Sequence, residues 1–233
     1  MAAFAVLYDV HGNLAALEAV LRDAESQGCD SFLLGGDYAL FGPQPRETVE
    51  RLDSLGAEWI RGNGERWTAA PDDAPDDEVV QGALAASREE LGEDLVARLA
   101  ELPEQTVRDD ARYCHASPVS DVRSFFPEPG DDEEELLAGV EERRLVFGHT
   151  HLPFRRGSAA GGGIELINPG SVGMPFDGDT RAAYAVVRED GGVEHRRVGY
   201  ESPEAAARAV RERFGPGWAD TVARRIERAS FAV

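Results

Sequence analysis

Apolar runs alternate with helix-spaced apolar positions along the first quarter of the chain. Ala3 to Tyr8 is continuously apolar, as in a strand covered on both faces, and apolar residues then recur at helical spacing from Leu14 to Ala24. Further strands are predicted at Ser31 to Leu34 and at Glu58 to Ile60, with a helix from Pro45 to Leu55 between them. This alternation predicts right-handed βαβ units and a mostly parallel sheet up to residue 63.

The pattern changes after Pro71. A helical, cap-like segment is predicted over about 67–105, with a break near Gly92. Short strand-like runs follow at 111–114, 145–147, 164–167, 182–187 and 193–198, and the short turns between the last of them predict an antiparallel second sheet. A C-terminal helical pair is predicted over about 203–228. We therefore expect an α/β fold and a single domain spanning residues 1–233.

The chain is strongly acidic, with 44 acidic and 24 basic residues and a formal charge of −20. Such a surface repels phosphate backbones, so nucleic acid is not expected as a non-specific partner, and a phosphate substrate has to be attracted by a bound cation. The two cysteines, Cys29 and Cys114, indicate no disulfide framework. No apolar run approaches the roughly 20 residues of a membrane helix. These features predict a cytoplasmic protein without a membrane partner, and they leave its oligomeric state open.

Four of the five histidines lie in short motifs directly after predicted strands. The motifs are Asp9-Val10-His11-Gly12-Asn13, Gly35-Gly36-Asp37, Gly62-Asn63, Cys114-His115 and Gly148-His149-Thr150-His151. Ligands of α/β sheets bind beyond the carboxyl ends of strands, which is where each motif lies. Seven carboxylate, imidazole and amide donors are too many for one tetrahedral ion and suit two ions that share a carboxylate. The fifth histidine, His195, lies outside these motifs and is predicted to be on the surface.

This ordered set of motifs, followed by Asn168-Pro169-Gly170-Ser171, resembles the calcineurin-like metallophosphoesterase superfamily, in particular its small bacterial and archaeal phosphodiesterase-type members. The resemblance extends from residue 6 to about 187. It implies a four-layer sandwich of two facing mixed β-sheets flanked by helices. It also implies a ligand set in which Asp9, His11 and His151 hold one ion, Asn63, His115 and His149 hold the other, and Asp37 bridges them.

The function implied by the resemblance is a dinuclear metal-dependent phosphoesterase, in which a hydroxide shared by the two ions attacks phosphorus. Asp37, Asn63 and His115 are the implied catalytic residues. Mixed oxygen and nitrogen ligands suit manganese, iron, zinc or cobalt. Arg61 and Arg66 flank Asn63 and are candidates to bind a phosphate oxygen of a small-molecule phosphate ester. The Asn168 to Ser171 segment is predicted to be a structural turn.

One position departs from the family pattern. Members usually carry Gly-Asn-His-Asp or Gly-Asn-His-Glu, whereas this chain has Gly62-Asn63-Gly64-Glu65. Because Gly64 has no side chain to protonate a leaving group, phosphodiesters or esters with good leaving groups are predicted over monoesters. A phosphoprotein phosphatase and a dinucleoside polyphosphate hydrolase share the motif set and remain alternatives. A catalytically silent scaffold of the same fold is a further alternative, although retention of seven ligands argues against it.

Overall fold

The structure is a computed structural model that describes residues 3–232, so Met1, Ala2 and Val233 of the predicted domain lie outside the described residues. The strands are β1 Ala3–Leu7, β2 Cys29–Leu34, β3 Glu58–Trp59, β4 Gln105–Arg108, β5 Ala111–Cys114, β6 Arg144–Val146, β7 Phe154–Gly157, β8 Glu165–Asn168, β9 Ala182–Arg188 and β10 Val193–Val198. The helices are α1 Leu14–Ser26, α2 Pro45–Asp53, α3 Asn63–Ala69, α4 Glu78–Ala100, α5 Glu133–Leu136, α6 Pro203–Phe214 and α7 Trp218–Arg228.

The strands form two five-stranded sheets with the orders β10-β9-β1-β2-β3 and β4-β5-β6-β8-β7. In the first sheet β1, β2 and β3 are parallel, β9 runs antiparallel to β1, and β10 runs antiparallel to β9. In the second sheet β5, β6 and β8 are parallel, with β4 and β7 as antiparallel edges. The expected pair of mixed sheets flanked by helices is confirmed. The expected antiparallel second sheet is wrong, because β9 pairs with β1 and returns the chain to the first sheet.

The two sheets are joined by an apolar core. Phe4 and Val6 of β1 pack with Tyr113, Val146 and Ile167 of the second sheet. The opposite face of β1 packs against α1, α2 and α4, which explains why this strand is apolar at every position. Because the two sheets face each other, the loops that follow β1, β2, β3, β5 and β6 meet at one end of the molecule.

Helices α4, α6 and α7 pack together beside these loops. Helix α4 breaks at Gly92, as predicted, where φ is 73°. Trp218 of α7 lies so close to Gly82 of α4 that a Cβ at position 82 would be 2.3 Å from its ring. This contact places the C-terminal helical pair against α4. No helix within residues 3–232 is long and apolar enough to cross a membrane.

Candidate metal centre

The backbone is left-handed at five of the seven predicted ligands. The positive φ angles are 54° at Asp9, 47° at His11, 57° at Asp37, 65° at His149 and 58° at His151. Residues with a Cβ rarely adopt this conformation, and they keep it only where the surrounding structure holds it. Its concentration at these positions indicates that the loops are shaped to direct side chains towards a common point.

Three of the predicted histidine ligands are oriented by backbone carbonyl oxygens. Their Nδ1 atoms contact these oxygens, His11 that of Leu40 at 2.8 Å, His115 that of Gly35 at 2.8 Å and His151 that of Met174 at 2.6 Å. Because a carbonyl oxygen only accepts, each Nδ1 carries a hydrogen, and in the neutral ring each Nε2 presents a lone pair. All three rings are therefore in the tautomer that a metal ligand requires.

The first group of donors contains lone pairs that face one another. His11 Nε2 and His151 Nε2 lie 3.0 Å apart, although neither nitrogen carries a hydrogen in this tautomer. Asp9 Oδ1 is buried without a hydrogen-bond partner and lies 3.5 Å from His151 Nε2. Buried lone pairs that face each other are unfavourable unless a cation lies between them. The donor set of Asp9, His11 and His151 thus fits a metal ion.

A second group of donors surrounds Asn63. The position of the Asn63 amide oxygen lies 2.9 Å from His115 Nε2, 2.9 Å from His149 Nδ1 and 3.1 Å from the carbonyl oxygen of Asp121. An oxygen at this position faces only atoms that carry lone pairs, so it is stable there only if it shares a cation with them. Otherwise the amide group flips, and its nitrogen donates hydrogen bonds to these atoms. Asp37 lies between the two groups, with Oδ1 3.5 Å from His115 Nε2 and Oδ2 3.9 Å from His11 Nε2.

The electrostatics of these groups favour cation binding. Burial and the neighbouring His151 lower the pKa of His11 to about 3, and burial and His115 lower the pKa of His149 to about 3. Both rings are therefore neutral at pH 7 and available as ligands. Burial, together with nearby carboxylates, raises the pKa of Asp37 to about 7. A cation that binds beside this buried carboxyl group would stabilise its charged form.

Glu65 is a buried residue of the site that the sequence analysis did not single out. Its Oε2 accepts hydrogen bonds from Asp37 N at 2.9 Å and Gly62 N at 2.8 Å, and its Oε1 accepts one from Tyr38 N at 2.8 Å. One carboxylate thus holds the loop of Asp37 to the loop of Asn63. The signal in the sequence was its place three residues after Gly62, where an acidic side chain can accept from the backbone N–H that precedes a helix.

Gly64 is packed directly against Asp37. Its N–H donates to Asp37 Oδ1 at 2.7 Å, and a Cβ at this position would also be 2.7 Å from that oxygen. A side chain could be added only if Asp37 moved. The absence of a side chain at position 64, where this chain departs from the family pattern, therefore goes together with the close position of Asp37.

Arg61 and Arg66 are both engaged within the protein. Arg66 donates from Nε and Nη2 to the carboxylate of Asp121 at 2.6 and 2.8 Å. Arg61 donates to the carbonyl oxygen of Ala100 at 2.9 Å and also to the carboxylate of Glu104. Both arginines line a small cleft behind His115 rather than the main cleft. Their role in substrate binding stays a prediction.

The segment after β8 supports the ligand loops. Asn168 Nδ2 donates to the carbonyl oxygen of Gly148 and to Thr150 Oγ1, both at 3.0 Å, and Ser171 Oγ donates to the carbonyl oxygen of Asp9 at 2.7 Å. Asn168 and Ser171 are fully buried, so they position these loops, as predicted for a structural turn.

The prediction of a surface position for His195 is wrong. The side chain is half-buried, and its Nε2 lies 2.8 Å from the carbonyl oxygen of Asn168. His195 lies on β10, which pairs with β9, and its side chain contacts the end of β8. The two contacting segments are distant in sequence.

The predicted ligands open into the main cleft, which has a volume of about 870 Å³. His11, Asp37, Asn63, His149 and His151 line its floor. His115 and Asp9 lie beneath this floor and are almost fully buried. The structure thus brings all seven predicted ligands together, with five of them reachable from the cleft.

Comparisons with known proteins identify the family and the fold. The sequence model of the calcineurin-like phosphoesterase superfamily domain matches residues 3–192. An uncharacterized protein of Methanocaldococcus jannaschii is 30% identical over 236 aligned residues, which cover 92% of this chain and 94% of that protein. The crystal structure of a metallophosphoesterase from Sphaerobacter thermophilus is 26% identical, with a TM-score of 0.81 over 97% of this chain and 98% of that one.

A hypothetical protein of Pyrococcus horikoshii, at 22% identity, has the same fold, with a TM-score of 0.82 over 96% of this chain and 98% of that one. The family match and the candidate Asp and His clusters support phosphoesterase chemistry with a divalent metal. The chain belongs to the calcineurin-like phosphoesterase superfamily.

Proposed function

We propose that the chain is a dinuclear metal-dependent phosphoesterase. The observation that carries this proposal is the position of Asp37, whose two oxygens face His11 on one side and His115 on the other. One carboxylate placed between two groups of ligands suits two ions that share it. In this proposal Asp9, His11 and His151 hold one ion, Asn63, His115 and His149 hold the second, and Asp37 contacts both.

Manganese, iron, zinc and cobalt suit these mixed donors. When bound, two such cations would neutralise phosphoryl oxygens and lower the pKa of a water molecule towards neutrality. The protein orients the side chains that would hold the ions. Hydrogen bonds from three histidine Nδ1 atoms to carbonyl oxygens fix the rings, and the amide nitrogen of Asn63 becomes free to donate to a phosphate oxygen when its oxygen faces an ion.

The proposed substrate is a small phosphodiester. A cleft of about 870 Å³ lies in the range of small-molecule sites. Gly64 offers no side chain to protonate a leaving group, and the close contact with Asp37 leaves no space for one. Substrates with good leaving groups, or diesters, depend least on such a proton donor.

Metal binding is expected to stabilise the protein and to reach two ions per chain. At Mn²⁺ concentrations about 100-fold above Kd, each bound ion adds about 2.7 kcal/mol, or roughly 5–10 °C in Tm. Differential scanning calorimetry and elemental analysis after gel filtration measure both quantities. The variant His151→Gln should lose one ion, whereas His195→Gln, outside the site, should keep both.

Fewer than one transition metal per chain after manganese loading, together with no hydrolysis of any phosphate ester, contradicts the proposal. That result would favour a scaffold that has kept the fold without the chemistry.

The manganese-loaded protein is expected to hydrolyse bis(p-nitrophenyl) phosphate at least about tenfold faster than glycerol 3-phosphate, because the alkoxide that leaves from this monoester needs a proton and no side chain at position 64 supplies one. Release of p-nitrophenol from the diester and of inorganic phosphate from the monoester, both at saturating metal, measures the two rates, and a known diesterase and monoesterase serve as assay controls. A monoester rate well above the diester rate would refute the argument from Gly64.

A further inference from the structure

The main cleft has an aromatic wall above the ligand floor. The wall is formed by Phe41, Trp67, Phe126, Phe176 and Phe231. Phe126 is 54% exposed and Phe231 is 63% exposed, although large apolar side chains on a soluble protein are usually covered. Exposed aromatic groups at a cleft mouth are typical of sites that receive the apolar part of a ligand.

Part of this wall connects the ligand floor to an arginine. The ring of His151 stacks on Phe176 with centroids 4.3 Å apart and an interplanar angle of 18°. Phe176 contacts Phe231 edge to face at 5.6 Å, and the guanidinium of Arg225 lies 4.2 Å from the centre of the Phe231 ring. A molecule whose phosphorus lies at the floor can therefore extend along these rings to Arg225.

Arg225 lacks a counterion within residues 3–232. Among the residues the structure describes, it forms no ion pair, and its Nε atom is buried without a hydrogen-bond partner. The charge of Asp77 favours the protonated form of Arg225, but Asp77 Oδ1 already accepts from Val79 N and Val80 N at the start of α4. Burial lowers the pKa of Arg225, as expected for a positive charge without a close partner.

The neighbouring Arg123 makes the contrast clear. It also lines the main cleft, yet Glu135 and Asp132 bind its guanidinium at 2.7 and 3.0 Å. In a chain with a net charge of −20, acceptors for arginine are abundant. A half-buried arginine without one is destabilising unless an anion binds to it. Arg225 therefore has the properties of a binding residue rather than of a structural one.

We propose that Arg225 binds a second anionic group of the substrate, beyond the scissile phosphate, while the substrate's ring lies on the wall formed by Phe176 and Phe231. This inference rests on the proposed phosphoesterase function. It names the substrate class as an aromatic phosphoester that carries a further phosphate or carboxylate, chemistry that a nucleotide-type ester provides.

A pair of substrates that differ by one anionic group tests this proposal. The first is the p-nitrophenyl ester of thymidine 5′-phosphate, and the second is the same ester with an added 3′-phosphate. Arg225→Gln is compared with Arg228→Gln, an exposed arginine in the last turn of the same helix, so both variants lose the same charge. The assay uses manganese-loaded protein and measures p-nitrophenol release.

Wild type and Arg228→Gln should have a KM for the 3′-phosphate substrate roughly tenfold below that for the other ester, which is the effect of one hydrogen-bonded charge pair. Arg225→Gln should remove this difference by raising the KM for the 3′-phosphate substrate. Its Tm should fall by no more than about 1–4 °C, because the replaced charge loses only its contact with the Phe231 ring. Equal KM values in wild type, or an Arg225→Gln variant that still discriminates, would overturn the proposal.

Hydrolysis of neither ester by wild type would count against the proposed function rather than against this subsite. Calorimetric titration with thymidine 3′,5′-bisphosphate and thymidine 5′-phosphate then tests whether Arg225 forms the subsite. Tighter binding of the bisphosphate that disappears only in Arg225→Gln supports the subsite, and binding that is independent of Arg225 refutes it.

Discussion

Replacing Asp37 with Asn is expected to lower kcat/KM for phosphoester hydrolysis by about 10³-fold, because a neutral amide cannot hold two cations as a shared carboxylate does and several kcal/mol of transition-state stabilisation is lost. The size and shape of the side chain are preserved, and its oxygen can still accept from Gly64 N. The loss should therefore be electrostatic. Steady-state kinetics with bis(p-nitrophenyl) phosphate at several manganese concentrations measure it.

The stability of this variant separates a ligand role from a structural one. Without metal, Asp37→Asn should be at least as stable as wild type, because it removes a charge from a buried group of carboxylates. With metal, the increase in Tm seen for wild type should shrink. Asp30→Asn is the matched control, since Asp30 is an exposed residue near the opposite end of β2 from the Asp37 loop. Wild-type kinetics for Asp37→Asn would eliminate the shared-carboxylate arrangement.

The predicted ligand set could be identified from sequence because its residue types are scarce and each follows a strand. Four of five histidines fall in these motifs, and parallel strands bring their carboxyl ends together. Edge strands such as β4 and β7 were not predicted, because each has only four residues and little apolar alternation. The sheet to which β9 and β10 belong depends on pairing with β1, about 180 residues away, which no local pattern records.

The features missed at the site all depend on contacts between distant segments. Arg66 looked available beside Asn63, but Asp121 lies 55 residues away in sequence and binds it. Nothing in the sequence distinguishes Arg225 from the other arginines of α7, and only the packing of α7 beside the cleft reveals that it has no carboxylate partner within residues 3–232. Periodicity identifies which face of a helix is buried, but it does not identify which charges meet across the fold.

Glu65 shows the same limit, and its replacement has the second large expected effect. Glu65→Ala should lower the free energy of unfolding by about 4 kcal/mol, because the backbone N–H groups of Asp37, Tyr38 and Gly62 would lose their acceptor in a buried site. A loss of this size is a large part of the stability of a typical domain. Urea-induced unfolding of the metal-free protein measures it.

A graded series distinguishes this role from a general effect of removing an acidic residue. Glu65→Gln keeps one acceptor oxygen, which can serve the two N–H groups of Asp37 and Gly62 that share Oε2, but it turns an amide nitrogen towards Tyr38 N. It should therefore lie between Glu65→Ala and wild type, and it keeps the test possible if the alanine variant does not fold. Glu50→Ala, on the exposed face of α2, should change the unfolding free energy by less than about 0.5 kcal/mol.

The same variants also test whether Glu65 affects metal binding. Because Glu65 fixes the loops that carry Asp37 and Asn63, its replacement should weaken Mn²⁺ binding by about 10- to 100-fold although Glu65 is not one of the predicted ligands. Isothermal titration with Mn²⁺ at a temperature where Glu65→Gln is fully folded gives this affinity independently of unfolding. A Glu65→Gln variant could instead have lowered stability but wild-type Mn²⁺ affinity. That result would show that the carboxylate stabilises the fold but does not position the metal ligands, because the loops would still bind the ions normally without it.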